Sequence, residues 1–506
     1  MEFFEILCGI AAVIFPLYYF FTSTFDFWKS RGVPNPRPIP GFGTFKNVVL
    51  GKVSLSGYMK KLYNDYKDKP LVGIFAGRTP ILIVKHPDLI KDVLIKDFSI
   101  FPDRRYCSRD RSEPLSQNLF ELDSKRWRPL RAKLTPVFTS RKLKEMFVLI
   151  SECSDQLVQY VEKLVNKNEP IECVEMTAKY TTDVIGSCVF GIEMNAMSNE
   201  DSEFRRIGRS VFHASFWKRL RFAMKNYLPW LFDVLYGYIL PRSEVTKFFM
   251  RIVLETMDYR ETNNITRNDF IDTLRELKKH SDKMGDIDIF LDLTDSLIVS
   301  QAFTFFAAGF ETSSTAMANA FYELALNQKI QDRLRDEIDQ EYIKHAGNLT
   351  YTNIKEMNYL DKIFKEVLRK YPPGLIFSRI TMSSYTFNDT NVSIPKGQLI
   401  WIPIHAMHRD SNIYPEPDVF DPERFNEEAV RSRHPMVYLP FGDGQRNCIG
   451  SRFAVYQTKL GLIKILRNYK VEPCEKTQIP YAVNDKDLLL APKDGIYLRI
   501  LKVNQD

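Results

Sequence analysis

Cysteine is scarce in this 506-residue chain, and what there is does not pair. The seven cysteines, at 8, 107, 153, 173, 188, 448 and 474, are odd in number and include no C-x-x-C. That argues against a disulfide framework or a zinc site and for a reducing compartment. Excess charge is also small. A formal net charge of +7 does not demand nucleic acid, so local clusters matter more than the sum. No long Gly/Ser linker, low-complexity tract or internal repeat divides the chain, although at about 150 residues per domain its length alone would suggest three. The apolar N-terminus lacks both a basic leader and a small-x-small cleavage site, which argues against a cleaved signal peptide.

What is present is ample apolar material, 44% of residues. Residues Phe3 to Phe25 are nearly all apolar or aromatic, interrupted by Glu5 and by Thr22-Ser23-Thr24. About 20 such residues span a bilayer. Glu2 and Glu5 precede the run, whereas Lys29 and Arg31 follow it, so the positive-inside rule places the N-terminus in the lumen and the remainder in the cytosol. Residues 1–28 are read as a membrane anchor. Residues 29–45, with Pro34, Pro36, Pro38 and Pro40, are read as a stiff extended linker, because alternating prolines cannot form a helix. The body, 46–506, is then one domain.

Leu71–Phe75 and Ile81–Lys85 have the pattern of a small hairpin. Helical signals dominate after it, giving a mainly α chain with a small β region. His86-Pro87-Asp88 opens one helix, and Phe101 to Asp123 is polar and irregular. Trp127 and Arg131, at i and i+4, share a helix face, where an indole N–H beside a guanidinium can grip a carboxylate or make a surface cation–π contact. Between Val211 and Leu240, nine aromatics alternate with Lys218, Arg219, Arg221 and Lys225; buried core and membrane-interface readings both fit that mixture.

From Thr294 to Asn327 there is no proline and one glycine, which predicts a helix of roughly 50 Å at 1.5 Å per residue. At its centre, Ala308, Gly309 and Thr312 make a face of small side chains with one hydroxyl, next to Glu311. The Thr312 hydroxyl can bond the Ala308 carbonyl and bend the helix, opening a groove. Downstream, Cys448 lies in the glycine-rich loop Phe441–Gly450, just before an apolar-periodic helix over Phe453–Leu466. Backbone N–H groups and the helix dipole favour a thiolate there. Gly444 and Gly450 permit close approach to a flat object, Phe441 can pack under it, and Arg446 can pair with its anionic groups.

The pattern Phe441-x-x-Gly444-x-Arg446-x-Cys448-x-Gly450 resembles the heme-binding signature of the cytochrome P-450 family at all five fixed positions. Ala308-Gly309-Phe310-Glu311-Thr312 resembles the family's Ala-Gly-x-Asp/Glu-Thr. The resemblance covers practically the whole chain, and Phe138-Thr139-Ser140, Tyr371-Pro372-Pro373 and the Phe-Gly-Asp-Gly context are most similar to insect microsomal members of family six. It implies the cytochrome P-450 fold and a heme b whose iron takes the Cys448 thiolate. Trp127, Arg131 and Arg379 would then hold propionates, and Glu366, Arg369 and Arg424 a buried ionic network. It also implies that Phe101–Asp123 roofs the substrate pocket and that the turn at Leu488-Leu489-Leu490 closes it. The 211–240 segment would be a lid dipping into lipid, and Arg128 and Lys133, turned away from the heme face, are candidates for docking an acidic electron donor, with a solvated face as the alternative.

The implied activity is oxygen insertion from O2 into a small apolar substrate, such as a xenobiotic, plant secondary compound or insecticide. Electrons would come from NADPH through cytochrome P-450 reductase, with cytochrome b5 as a further donor, at the cytosolic face of the endoplasmic reticulum. The partners are membrane lipid and small molecules, with no nucleic acid. An endogenous hormone or lipid is an alternative substrate. Alternative classes are a heme-thiolate isomerase or dehydratase of peroxides, against which the Glu311–Thr312 pair argues, and a non-enzymatic heme sensor.

Overall fold

The computed structural model describes residues 2–104, 109–199, 202–212, 216–267, 269–279, 293–484 and 489–503. Its contacts gather into two compact units, the first made of Met1–Arg105, Gly374–Asp418 and Arg431–Asn447 and the second of Tyr106–Pro373, Val419–Val430 and Cys448–Asp506.

The first unit begins with helix α1, Glu2–Thr22, whose side chains from Phe3 to Phe20 are mostly exposed, as suits a helix with no protein around it. Strands β1 (Leu71–Ala76) and β2 (Thr79–Val84) form the predicted hairpin, with Leu71 opposite Val84 and a tight turn that needs the positive φ of Gly77. Strands β3 (Phe377–Ile380) and β4 (Leu399–Ile402) complete a four-stranded sheet in the order β1-β2-β4-β3. Pairing of β2 with β4 is parallel, whereas the other two pairings are antiparallel.

The proline segment is packed against the hairpin. Trp28 is fully buried and donates from its indole nitrogen to the Ile74 carbonyl at 3.0 Å. The Pro34 carbonyl accepts from the Gly73 amide at 2.8 Å, and the Thr44 amide donates to the Phe75 carbonyl at 2.9 Å. Arg78, at the hairpin turn, stacks its guanidinium 3.8 Å from the Phe20 ring centroid. The anchor's end and the 29–45 segment are thereby packed onto the hairpin. The reason is apolar: Trp28, Phe25 and Val33 cover the sheet face that would otherwise meet water.

The second unit is mainly helical. Helix α2 spans Ser124–Leu134, α3 Ser140–Val165, α4 Cys173–Ile185, α5 Asp295–Leu326, α6 Asn358–Lys370 and α7 Ser451–Asn468. A small sheet places Tyr497–Lys502 between Ile171–Glu172 and Tyr469–Pro473. The α5 helix begins where predicted, with Thr294 accepting from the Leu297 amide at 3.2 Å, and it packs most extensively against α4. Every α4 residue from Met176 to Ile185 is buried, including its four threonine and aspartate side chains, Thr177, Thr181, Thr182 and Asp183. The α4 helix therefore shows no amphipathic stripe to mark its neighbours.

In the 211–240 segment, residues 213–215 lie outside the described residues. Phe232 is buried, as the core reading has it, with Tyr236 stacked on it. Trp217, Trp230 and Tyr238 are about two-thirds exposed or more, and Leu228, Ile239 and Leu240 are exposed beside them.

Candidate functional site

Cys448 follows the two positive-φ glycines Gly442 and Gly444 and lies just before α7, whose N-cap is Gly450. With no side-chain cap at Gly450, the first-turn N–H groups stay available to an anion. Cys448 is exposed, unlike Cys153, Cys173 and Cys188, which are buried. Burial pushes the Cys153 thiol up to about 11 and the thiols of Cys173 and Cys188 well above their ordinary value, so these three are inert packing groups. Gly444 serves the loop itself, because a Cβ there would collide with the Leu94 carbonyl. Gly450 differs: the nearest atom to a Cβ would be in Phe138 at 3.9 Å, leaving the space beside it open.

Helix α2 starts at Asp123, whose carboxylate accepts from the Lys125 and Arg126 amides. Trp127 is 3% exposed, and Arg131 is half-buried one turn on. Burial lowers the pKa of the Arg131 guanidinium, and the Cys448 sulfur opposes that shift. Arg128 is exposed and Lys133 half-exposed on the same helix.

In the first unit, Arg379 sits on β3 opposite Ile400 and is 4% exposed. One terminal nitrogen donates to the Ser378 carbonyl at 2.9 Å, but its Nε has no acceptor among the described residues. Burial, reinforced by the buried cation Arg446, lowers its pKa to about 10. Arg446 pairs with Asp103 at 3.4 Å. Two guanidiniums buried in one site favour an anion beside them. The propionates of a heme are groups of that kind, so the residues present fit it. Phe441 is half-buried at the start of the same loop.

The centre of α5 supplies the other chemistry. Ala308 is exposed in a helix whose remaining length is largely buried, and Thr312 donates to the Ala308 carbonyl at 2.6 Å. The two carbonyls that follow also take side-chain donors. Gln457 of α7 reaches Gly309 at 3.2 Å, and Thr181 of α4 reaches Phe310 at 3.0 Å. Helical bonding nevertheless continues unbroken through the segment. Gly309 has a packing role, since a Cβ would overlap the Cδ1 of Ile185 and lie 3.0 Å from its Cγ1. Glu311, half-buried, lines a cavity of about 430 Å³ with Arg205, Arg209, Ser210, Phe212 and Leu489. Leu488 of the expected closing turn lies outside the described residues, whereas Leu490 is buried.

The Glu366–Arg369 pair is fully buried and bidentate, at 2.7 and 2.8 Å. Arg424 lies 3.6 Å from the same carboxylate, which also accepts from the Asp421 amide at 3.0 Å. Sequence reasoning missed Gln457, Thr181 and Arg452, whose guanidinium holds the Phe138 carbonyl at 2.7 Å. A weak signal existed for one of them: Thr177 and Thr181 recur at i and i+4, and both hydroxyls donate to α5 carbonyls.

Comparison with known proteins agrees with this geometry. The family profile described as Cytochrome P450 matches residues 33–499. Probable cytochrome P450 6a14 of Drosophila melanogaster is 40% identical, covering 98% of this chain and 99% of the relative. Cytochrome P450 6k1 of Blattella germanica is 37% identical over 98% of this chain and 97% of its own. Cytochrome P450 6A1 of Musca domestica is 37% identical over 96% of each. With a profile and relatives that run nearly end to end, the chain belongs to the cytochrome P450 family and is a monooxygenase whose cofactor is a heme iron held by a cysteine thiolate.

Proposed function

We propose that this monooxygenase inserts oxygen into small apolar organic compounds of the xenobiotic type, among them plant secondary compounds and insecticides. It draws electrons from NADPH through a membrane-bound reductase, with cytochrome b5 as a further donor. In this reading α1 anchors residues 1–28 in the endoplasmic reticulum, and residues 46–506 act at the cytosolic face. One observation carries the assignment of the iron ligand: Cys448 is the exposed thiol just before a helix N-terminus.

When bound, the heme supplies the iron at which O2 is reduced, and thiolate ligation favours O–O cleavage. The chain's own residues do the rest. Arg379 and Arg446 of the first unit, and Trp127 and Arg131 of the second, are the residues that would hold the carboxylates of a heme. Ala308 leaves room above the helix surface for O2, and the Thr312 hydroxyl, held by the Ala308 carbonyl, presents its oxygen at that point. Glu311 passes protons in from the cavity shared with Ser210. The buried Glu366–Arg369–Arg424 network fixes the 419–430 segment to α6.

The relatives named for 6-series cytochromes support an insect microsomal setting, and the exposed aromatics of the lid support contact with lipid. The test is spectral and kinetic. Cys448→Ala should abolish the ferrous carbon monoxide spectrum of a heme-thiolate, and product should form only with NADPH and reductase. Conversion of organic peroxides with no reductase, and none of substrate with it, would instead make the enzyme an isomerase or dehydratase.

A further inference from the structure

The end of α1 is built into a charged groove that the monooxygenase reaction does not use. The helix spans 21 residues, about 31 Å at 1.5 Å per residue, which matches a hydrocarbon core of about 30 Å. Thr22 therefore marks the edge of the hydrocarbon, and the residues just beyond it lie at headgroup depth. There, a groove of about 1110 Å³ is lined by Tyr18, Thr22 and Asp26 from the anchor's end. Lys29, Arg37 and Lys69 line it as well, the last two from the proline segment and from the stretch before β1. All three cations are exposed, and among the described residues none has a carboxylate within ion-pair distance. Asp26 is the only acidic side chain in the lining.

This convergence depends on the rigid mounting of the anchor. Trp28 locked under β1 and Arg78 stacked on Phe20 hold the helix end against the hairpin. Lys69, forty residues after Lys29, is thereby kept at the same groove. A flexible tether would let the three cations drift apart.

We propose that this groove binds the phosphate headgroup of an anionic phospholipid and so gives the enzyme a preference for negatively charged membrane. The proposal rests on the reading of α1 as a membrane anchor. Three cations with one carboxylate favour a net negative headgroup over a zwitterionic one, and an arginine can bind phosphate bidentately. Each basic residue close to an anionic surface contributes about 1 kcal/mol, so three together amount to a preference on the order of a hundredfold.

The full-length heme protein is offered to two vesicle populations together, phosphatidylcholine alone and phosphatidylcholine mixed with phosphatidylserine, and its distribution is read by flotation. Wild type should gather on the anionic vesicles, and Lys29→Gln/Arg37→Gln/Lys69→Gln should divide almost evenly while keeping its carbon monoxide spectrum. Asp26→Asn should shift the distribution further toward phosphatidylserine. Even division by wild type, or full preference kept by the triple variant, overturns the site while leaving the anchor intact. Failure to float with either population overturns the anchor reading and the site with it. Loss of the preference on adding inorganic phosphate at constant ionic strength reassigns the groove to a soluble anion and overturns the lipid proposal.

Discussion

The indole of Trp28 occupies the space that a side chain on Gly73 would need, and this one contact ties the anchor's end to the first strand of the sheet. Gly73→Ala should therefore displace an immobilised ring rather than a flexible one. Overpacking of this kind costs about 1–3 kcal/mol. Urea unfolding followed by tryptophan fluorescence should show a lower midpoint with an unchanged slope. A midpoint equal to wild type would mean that the ring relaxes freely and that the mounting is soft.

Arg379 separates the two roles of a buried cation. Without an anion its charge is repelled by Arg446 in a desolvated site, which offsets its hydrogen bond to the Ser378 carbonyl, so Arg379→Met should cost the heme-free protein little stability. With heme present the same change removes a charged hydrogen bond of about 1.5–3 kcal/mol, roughly ten- to hundredfold in retention. Transfer of heme to apomyoglobin measures the second quantity and thermal unfolding of apoprotein the first. Equal heme-loss rates in wild type and variant would take Arg379 out of cofactor binding.

Thr312→Ala should still bind heme and substrate, because the hydroxyl's visible partner is its own helix. What should change is coupling: more of the NADPH consumed should appear as hydrogen peroxide and less as product. An unchanged product-to-NADPH ratio removes Thr312 from proton delivery.

Glu121 gives a pH-dependent signature. Burial pushes its carboxyl up to about 7, Lys225 opposes the shift, and Glu113 adds to it. Lys225 lies 3.9 Å away, and Asn118 donates at 3.5 Å. In the unfolded chain the group titrates at its ordinary value near 4.5, so between there and about 7 the folded state binds the extra proton. Its contribution to stability is thus full at low pH and lost as pH rises through 7. Glu121→Gln should gain on wild type across that window, by at most about 3 kcal/mol, and hold a constant difference above it. A difference that is flat in pH would show that Glu121 titrates normally.

The four N-x-S/T sites, at Asn264, Asn348, Asn388 and Asn391, all have exposed asparagines, so access would not protect them from glycosylation. With the body in the cytosol, every one should stay bare on expression in insect cells. A mobility shift on glycosidase treatment would place the body in the lumen and remove the cytosolic reductase as its partner.

Much of this enzyme could be read from local pattern. The hairpin, the long α5 helix with its Thr294 cap, the Thr312–Ala308 bond and the Glu366–Arg369 pair all depend on residues within a few positions of one another. Periodicity and motif spacing report such relations directly. Cys448 could be picked out among seven cysteines because loop glycines and a following helix surround it in sequence. What only the tertiary structure decided involves partners far apart in the chain. Gly309 is small because Ile185 packs against it, and Gly444 because the Leu94 carbonyl does; both glycines had a reading aimed at the cofactor instead. The side-chain bonds from Gln457 and Thr181 to consecutive carbonyls of α5 join residues more than a hundred positions apart, and the continuous burial of α4 leaves no amphipathic stripe to record which neighbour Thr181 faces. The proline segment read as a stiff extended linker because proline fixes local conformation. Its packing against β1 came from Trp28, whose large apolar ring is buried only once the hairpin has formed.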